Sequence, residues 1–269
     1  MIDRIRSWRD ENGDASVLGV VRIAIGVLLF TQTLRAARVL TTIGYFGDAF
    51  HMPLLPERFV ASRFVYTLIV AVELSLAVCA AIGLRARAAL FLSSLLGTYV
   101  LLCDRVQFHH NRWALLCFAF LLSFSPCDRA HTITGSSQSR VGPLWAQRLA
   151  QLQLSIIYLS SGGSKLLDAD WRDGLVIAER FALYGHQAIA RGVPRGVVDF
   201  MSQPLVTSGL AKAAIATEIF LAIGLWRRRT RVFALWWGVM FHLTIELTSN
   251  VEIFTWLTLT TYALFATPD

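Results

Sequence analysis

Residues Phe64–Leu84 read FVYTLIVAVELSLAVCAAIGL, and this stretch decides the fold. It is an unbroken apolar run with Glu73 as its one charged residue, long enough as a helix to cross a hydrocarbon core about 30 Å thick. It lacks the two-residue alternation that a membrane-barrel strand requires. Runs of the same kind recur along the chain and predict about eight spans: Val17–Val39, Phe64–Leu84, Ala88–Cys103, Trp113–Phe124, Gln147–Leu167, Val206–Trp226, Val232–Leu247 and Ile253–Ala266. Composition agrees, because the 269 residues are 55% hydrophobic and 16% charged, with a mean hydropathy of +0.54. The expectation is an all-α integral membrane protein forming a single transmembrane domain over residues 1–269, with the lipid bilayer as its solvent.

The net charge of +7 does not point to nucleic acid, because the arginines cluster in short segments between spans. They gather at the amino terminus, at Arg85 and Arg87, at Arg129, Arg140 and Arg148, and from Arg227 to Arg231. By the positive-inside rule these segments are cytoplasmic, which puts both termini inside a bacterial plasma membrane. The first apolar run follows a short charged segment, residues 1–14, carries Arg22 within it and lacks a small-x-small cleavage site, so it is expected to stay in the protein. Cys79, Cys103, Cys117 and Cys127 form no C-x-x-C pair, which excludes a thiol–disulfide enzyme of the quinone-reducing kind and leaves them apolar packing roles.

With that topology, the polar segments YFGDAFHMP, DRVQFHHN, KLLDADWRDG and TSNVE all face the outside. The longest outer connection, 168–205, contains a helical stretch from Leu175 to Tyr184 and the Gly/Pro-punctuated tail RGVPRGVVDF, and is expected to cap a cavity. The inner connection, 126–146, is Ser/Thr/Gly-rich and reads as a plain flexible link between two four-span halves. The halves echo one another: Glu73, Gly83-Leu84, Arg85 and Gly97 in the first, Glu218, Gly224-Leu225, Arg227 and Gly238 in the second. Two parallel four-helix repeats would produce that echo, and would set Arg105 opposite Glu246 and His109 opposite Asn250.

Lysine occurs only at Lys165 and Lys212 among the 25 basic residues. Lys165 closes an apolar segment roughly 26 Å of helix beyond Arg148, near the outer edge of the hydrocarbon core. A snorkelling interfacial lysine is one reading. The other is a general base in a water-poor pocket, where a primary amine gives up its proton more readily. Ser161-Gly162-Gly163-Ser164 keeps the preceding face small, open to close approach by another helix or a flat ligand.

The segment IIYLSSGGSKLLDADWRDG resembles the signature of vitamin K-dependent γ-glutamyl carboxylases and of the wider horizontally transferred transmembrane (HTTM) domain family that contains their membrane part. Val21-Arg22-Ile23 with Gly26, the loop YFGDAFHMPLLP, and the closing MFHLTIELTSNVEIFTW with His242 and Phe254 resemble the same family in order and spacing. The resemblance implies that Lys165 is the base toward a reduced quinone of menaquinone or vitamin K type. It further implies that His110, Asn111 and His242 stabilise developing negative charge, and that Arg22, Asp168, Asp170, Trp171, Glu246 and Phe254 bind or position substrate. The departures are specific. Leu167 is one residue extra before Asp168, and FHHNRW puts Asn111 where the family has its histidine, with His110 just before it. The sequence also ends at Asp269, where carboxylases carry a large propeptide-recognising region. The departures argue against propeptide-directed carboxylation on the shared membrane scaffold, and leave a carboxylase/epoxidase-like or other quinol-dependent oxidoreductase as the enzyme that the resemblance implies.

His242 and Glu246, four apart on one helix face, could ligate a transition metal together with the outer histidines, but interhelical hydrogen bonding or a substrate pocket is the stronger expectation and no metal site is assigned. Glu73 and Glu218 fall near mid-span, where an Arg–Glu network with Arg22 is expected, a proton path being the alternative. Three functional readings follow: a quinol-linked membrane enzyme with a lysine base, a non-catalytic accessory protein for a secreted peptide, a soluble partner or a redox complex, and, ranked last, a small transporter.

Overall fold

The computed structural model describes residues 11–42, 52–106, 108–135, 139–248, 251 and 253–266. Most of YFGDAFHMP and TSNVE, including Asn250, therefore lies outside the described residues. The described chain is all-α apart from one two-stranded ribbon. Every predicted span contains a helix. Four of these helices are long and apolar enough to cross a membrane by length and composition among the described residues. The chain divides into two compact units, Met1–Ala150 with Ala266–Asp269, and Gln151–Phe265. Arg105 and Glu246 fall in different units.

The first unit holds α1 (Ser16–Thr42), α2 (Arg63–Ile82), α3 (Ala86–Cys103) and α4 (His110–Ser123). Contacts run α1 to α2, α2 to α3, α3 to α4 and α4 back to α1, which closes a four-helix arrangement. α1 and α2 approach closely because Gly26 leaves no side chain between them; a Cβ there would lie 2.7 Å from the Ala81 nitrogen. Ser62 caps α2, accepting from the Val65 N–H at 3.4 Å. Gly83 ends the helix at φ 86°, a left-handed conformation that only glycine adopts cheaply.

Arg22 explains how the inner connection is held. The side chain is fully buried and meets the carboxyl-terminal end of α2, where a Cβ on Gly83 would collide with its Nη1. The helix dipole favours a cation there. Its Nη2 donates to the His131 carbonyl at 2.6 Å, and the Ile133 N–H donates to the Ile82 carbonyl at 3.1 Å. Further along, β1 (Asn12–Asp14) pairs antiparallel with β2 (Val141–Pro143), Gly13 opposite Gly142. Arg148 forks onto Glu11 at 2.6 and 3.1 Å. The connection expected to be plainly flexible is thus tied to α1, α2 and the start of the next helix. Hydrogen bonds from Ser16 hold the Asp14 carboxyl below its ordinary range. Cys127 is fully buried, and burial pushes its thiol up to about 11, so it packs as an inert side chain.

The second unit contains most of α5 (Trp145–Leu167), then the three short or amphipathic helices α6 (Ala169–Asp173), α7 (Leu175–Ala190) and α8 (Arg195–Met201), and finally α9 (Pro204–Gly224), α10 (Arg228–Thr248) and α11 (Phe254–Tyr262). The helical stretch expected over Leu175–Tyr184 continues to Ala190. The Gly/Pro-punctuated tail forms α8, with Pro194 at its N-cap, where a missing N–H costs nothing. α6 starts on Asp168, whose carboxylate accepts from the Asp170 and Trp171 N–H groups at 2.9 and 3.4 Å. It ends at Gly174, φ 85°. A Cβ on Gly174 would lie 2.4 Å from the Ser208 nitrogen, so α6 seats directly on the start of α9.

Candidate functional site

Lys165 lies in the last turn of α5, four residues after Ser161 and so on the same face. Its Nζ forms an ion pair with Glu218 Oε1 of α9 and donates to Ser161 Oγ at 2.8 Å. Ser161 Oγ in turn donates to Glu218 Oε1 at 3.2 Å. The ammonium also sits 4.9 Å from the centroid of the Trp171 ring, a cation–π distance. Gly162 makes the arrangement feasible: a Cβ there would lie 3.1 Å from Ile219 Cγ1 and 3.3 Å from Glu218 Cβ. The small face expected to admit a helix or a flat ligand admits α9 at Gly162, while a Cβ on Gly163 would meet nothing within 4 Å.

The pair is shielded, with side-chain exposures of 16% for Lys165 and 7% for Glu218. Its second oxygen, Glu218 Oε2, is buried without a hydrogen-bond partner among the described residues. Such an atom forgoes solvation and gains nothing in return unless a ligand or water meets it.

A second polar cluster occupies the same unit. Tyr158 stands seven residues before Lys165, two helical turns along the same face of α5. Its hydroxyl bonds His242 Nε2 of α10 at 2.7 Å and the Tyr262 hydroxyl of α11 at 2.5 Å. His242 is fully buried; its Nδ1 has no partner among the described residues, and its ring meets Phe254 edge to face at 5.6 Å. These two clusters present two open buried atoms, an acceptor at Glu218 Oε2 and a ring nitrogen at His242 Nδ1.

The predicted site residues divide between the units. Lys165, Trp171, His242, Phe254 and Glu246 belong to the second, together with Asp168 and Asp170. Asp168 caps α6, and Asp170 is exposed in its first turn. The Glu246 carbonyl accepts from Arg191, and its Oε2 is buried without a partner among the described residues. Arg22, His110 and Asn111 belong to the first unit. Asn111 is buried at the start of α4 and donates its N–H to His109 Nδ1 at 3.3 Å, and the His109 and His110 rings stack at 4.7 Å. The expected Arg22–Glu network is replaced by separate arrangements: Arg22 holds the His131 carbonyl, and Glu218 pairs with Lys165. No group of three or more His, Cys, Asp or Glu is gathered to hold a metal among the described residues.

Sequence reading missed Glu218 as the partner of Lys165, gave Tyr158 no role beyond its place in the signature, and missed Tyr262. The signal for Tyr158 was present in its spacing from Ser161 and Lys165, which puts all three on one face of α5. In comparisons with known proteins, a family model described as HTTM domain matches residues 11–269. No curated protein and no solved structure matches the chain.

Proposed function

The chain belongs to the HTTM domain family, and from that premise we propose that it is a membrane enzyme whose Lys165–Glu218 pair takes a proton from a weakly acidic hydroxyl, that of a reduced quinone. It works in a bacterial plasma membrane with both termini cytoplasmic. The observation that carries this reading is the unpartnered Glu218 Oε2 beside a lysine held by three groups. The residues suit a quinol: an acceptor for its hydroxyl, a cation for the charge left behind, and an indole and a glycine face for a flat ring. A quinol supplies reducing power and an acidic O–H.

In the step itself, the substrate O–H bond breaks and its electron pair stays on the substrate oxygen. The proton forms an O–H bond at Glu218 Oε2, the open oxygen of the pair. The Lys165 ammonium then faces the new negative charge in a site of low dielectric, where such stabilisation is worth most. Tyr158, His242 and Tyr262 form a hydrogen-bonded chain through which a proton can be passed on.

The test is turnover and binding of reduced menaquinone by the purified protein in nanodiscs, with and without oxygen, beside Lys165→Ala and Lys165→Arg. Arginine keeps the charge but replaces the compact ammonium, held between Ser161, Glu218 and Trp171, with a larger planar fork. Turnover by the wild type that is lost in both variants is the expected result. Neither turnover nor quinol binding by the wild type would overturn the reading. It would favour a second one, in which the buried pair is only a clamp between α5 and α9 and the protein is a non-catalytic accessory to a secreted peptide, a soluble partner or a redox complex.

A further inference from the structure

A cavity of about 330 Å³ opens among α7, α8, α9 and α10. Its walls are apolar: Phe181 from α7, Met201 from α8, Ala213 and Ala214 from α9, Met240 and Phe241 from α10. Lys165, Glu218 and His242 do not line it. Thr217 and Phe241 do, and each is the chain neighbour of one of those residues, so the cavity faces sides of α9 and α10 turned roughly 100° from the proton-transfer site. The hydroxyls on its wall are already engaged. Thr217 Oγ1 accepts from Trp237 Nε1 at 3.0 Å, and Thr244 Oγ1 donates to the Met240 carbonyl at 2.8 Å.

That leaves Arg180, the one charged residue on the wall. Among the described residues its guanidinium has no hydrogen-bond or ion-pair partner. An unpaired cation beside an apolar cavity calls for an anion attached to something apolar. At about 330 Å³ the cavity lies at the small end of the usual 300–1,000 Å³ range for ligand pockets, enough for a single chain. Met201 and Met240 give two walls the flexibility to fit a chain of variable course. The elements that bear the site also expose apolar side chains, Leu183 on α7 and Val197 and Phe200 on α8. That pattern suits helices lying in the plane of a bilayer interface, where phospholipid headgroups are found. We infer that this cavity holds one acyl chain of an anionic membrane phospholipid whose phosphate pairs with Arg180. The lipid site does not depend on the proton-transfer reading and stands whether or not Lys165 turns over a substrate.

The experiment is native mass spectrometry of the delipidated full chain in detergent, titrated with phosphatidylglycerol or phosphatidylcholine of the same acyl chains. Variants are Arg180→Gln, Arg180→Lys and the cavity-filling Ala214→Leu and Ala213→Phe, each checked for helicity and monodispersity. The wild type should retain one phosphatidylglycerol about tenfold more tightly than phosphatidylcholine, whose choline cation lies beside the same phosphate and weakens its net attraction to Arg180. Arg180→Gln should abolish that preference while still binding a chain, Arg180→Lys should keep most of it, and a folded cavity-filling variant should lose both lipids. Equal retention of the two lipids by the wild type would overturn the inference, as would an unchanged preference in Arg180→Gln. So would displacement of the bound lipid by inorganic phosphate alone, which would mark a simple anion site. Because the headgroup comparison is made on the wild type, misfolding of a filled variant leaves the inference open to refutation.

Discussion

The Lys165–Glu218 pair makes a quantitative prediction through a double-mutant cycle of Lys165→Met, Glu218→Gln and the double variant. Both side chains are largely removed from water, at 16% and 7% exposure, so breaking the pair leaves a charge behind rather than merely deleting an attraction. The two single changes differ in what they strand. Lys165→Met leaves the Glu218 carboxylate with only Ser161 Oγ, at 3.2 Å, and should cost about 3–5 kcal/mol, the usual penalty for an orphaned buried charge. Glu218→Gln leaves an ammonium that still has Ser161 Oγ at 2.8 Å and the Trp171 ring at 4.9 Å. It sits on a flexible stem in the last turn of α5, free to reach toward the interface. That change should cost about 1–2 kcal/mol. The double variant removes both charges and should cost no more than about 2 kcal/mol, so the cycle should give a coupling of at least about 2 kcal/mol. Reversible unfolding in mixed micelles measures all four proteins. Costs that add to within about 0.5 kcal/mol would refute the pair as an energetic unit.

Gly174 and Gly192 offer an internally controlled test of the cap. Both adopt positive φ, 85° and 97°, but a Cβ at Gly174 meets the backbone of Thr207 and Ser208, whereas at Gly192 it meets nothing within 4 Å. Gly192→Ala should therefore cost only the backbone term, about 1 kcal/mol, and Gly174→Ala upward of about 3 kcal/mol; equal shifts in thermal midpoint would show that α6 does not seat on α9. Tyr158→Phe removes a hydroxyl bonded to both His242 and Tyr262 and should destabilise by about 2–4 kcal/mol, while Tyr262→Phe removes a single bond and should cost about 1–2 kcal/mol. The reverse order in thermal unfolding would place the hub of the cluster elsewhere.

The helices were legible because burial in lipid leaves a strong trace in composition: each predicted span contains a helix. Their number as membrane crossings was less legible. α4 has 14 residues and α11 has 9, about 21 and 14 Å, short of a hydrocarbon core about 30 Å thick. The inner connection was misread for a different reason. Ser, Thr and Gly report the local preference for turns, but not the distant partners, Arg22 and the β1 strand, that hold such a segment in place. In the Gly/Pro-punctuated tail, Pro194 starts α8. At the site, Lys165, His242 and Phe254 could be named from their own segments. Glu218 was recognised as an anomalous mid-span carboxylate, yet its partner could not be, since Arg22 and Lys165 are equally plausible cations until the helices are packed.

The open atoms weigh on the choice between an enzyme and a clamp. A clamp between α5 and α9 needs one oxygen of Glu218, and Oε1 already serves it, accepting from both Lys165 and Ser161. Nothing in that role calls for leaving Oε2 buried without a partner. The same holds for His242, whose Nε2 suffices to anchor Tyr158 while Nδ1 stays open in a fully buried position. Each such atom costs about 1–3 kcal/mol if left unsatisfied. A unit built only for stability would gain from a residue that reached these atoms. Open polar atoms at Glu218 and His242, in the unit that carries the three-way-held lysine, are what a ligand with hydrogen-bonding oxygens would complete, and that is the physical ground for preferring chemistry at Lys165 to a structural pair.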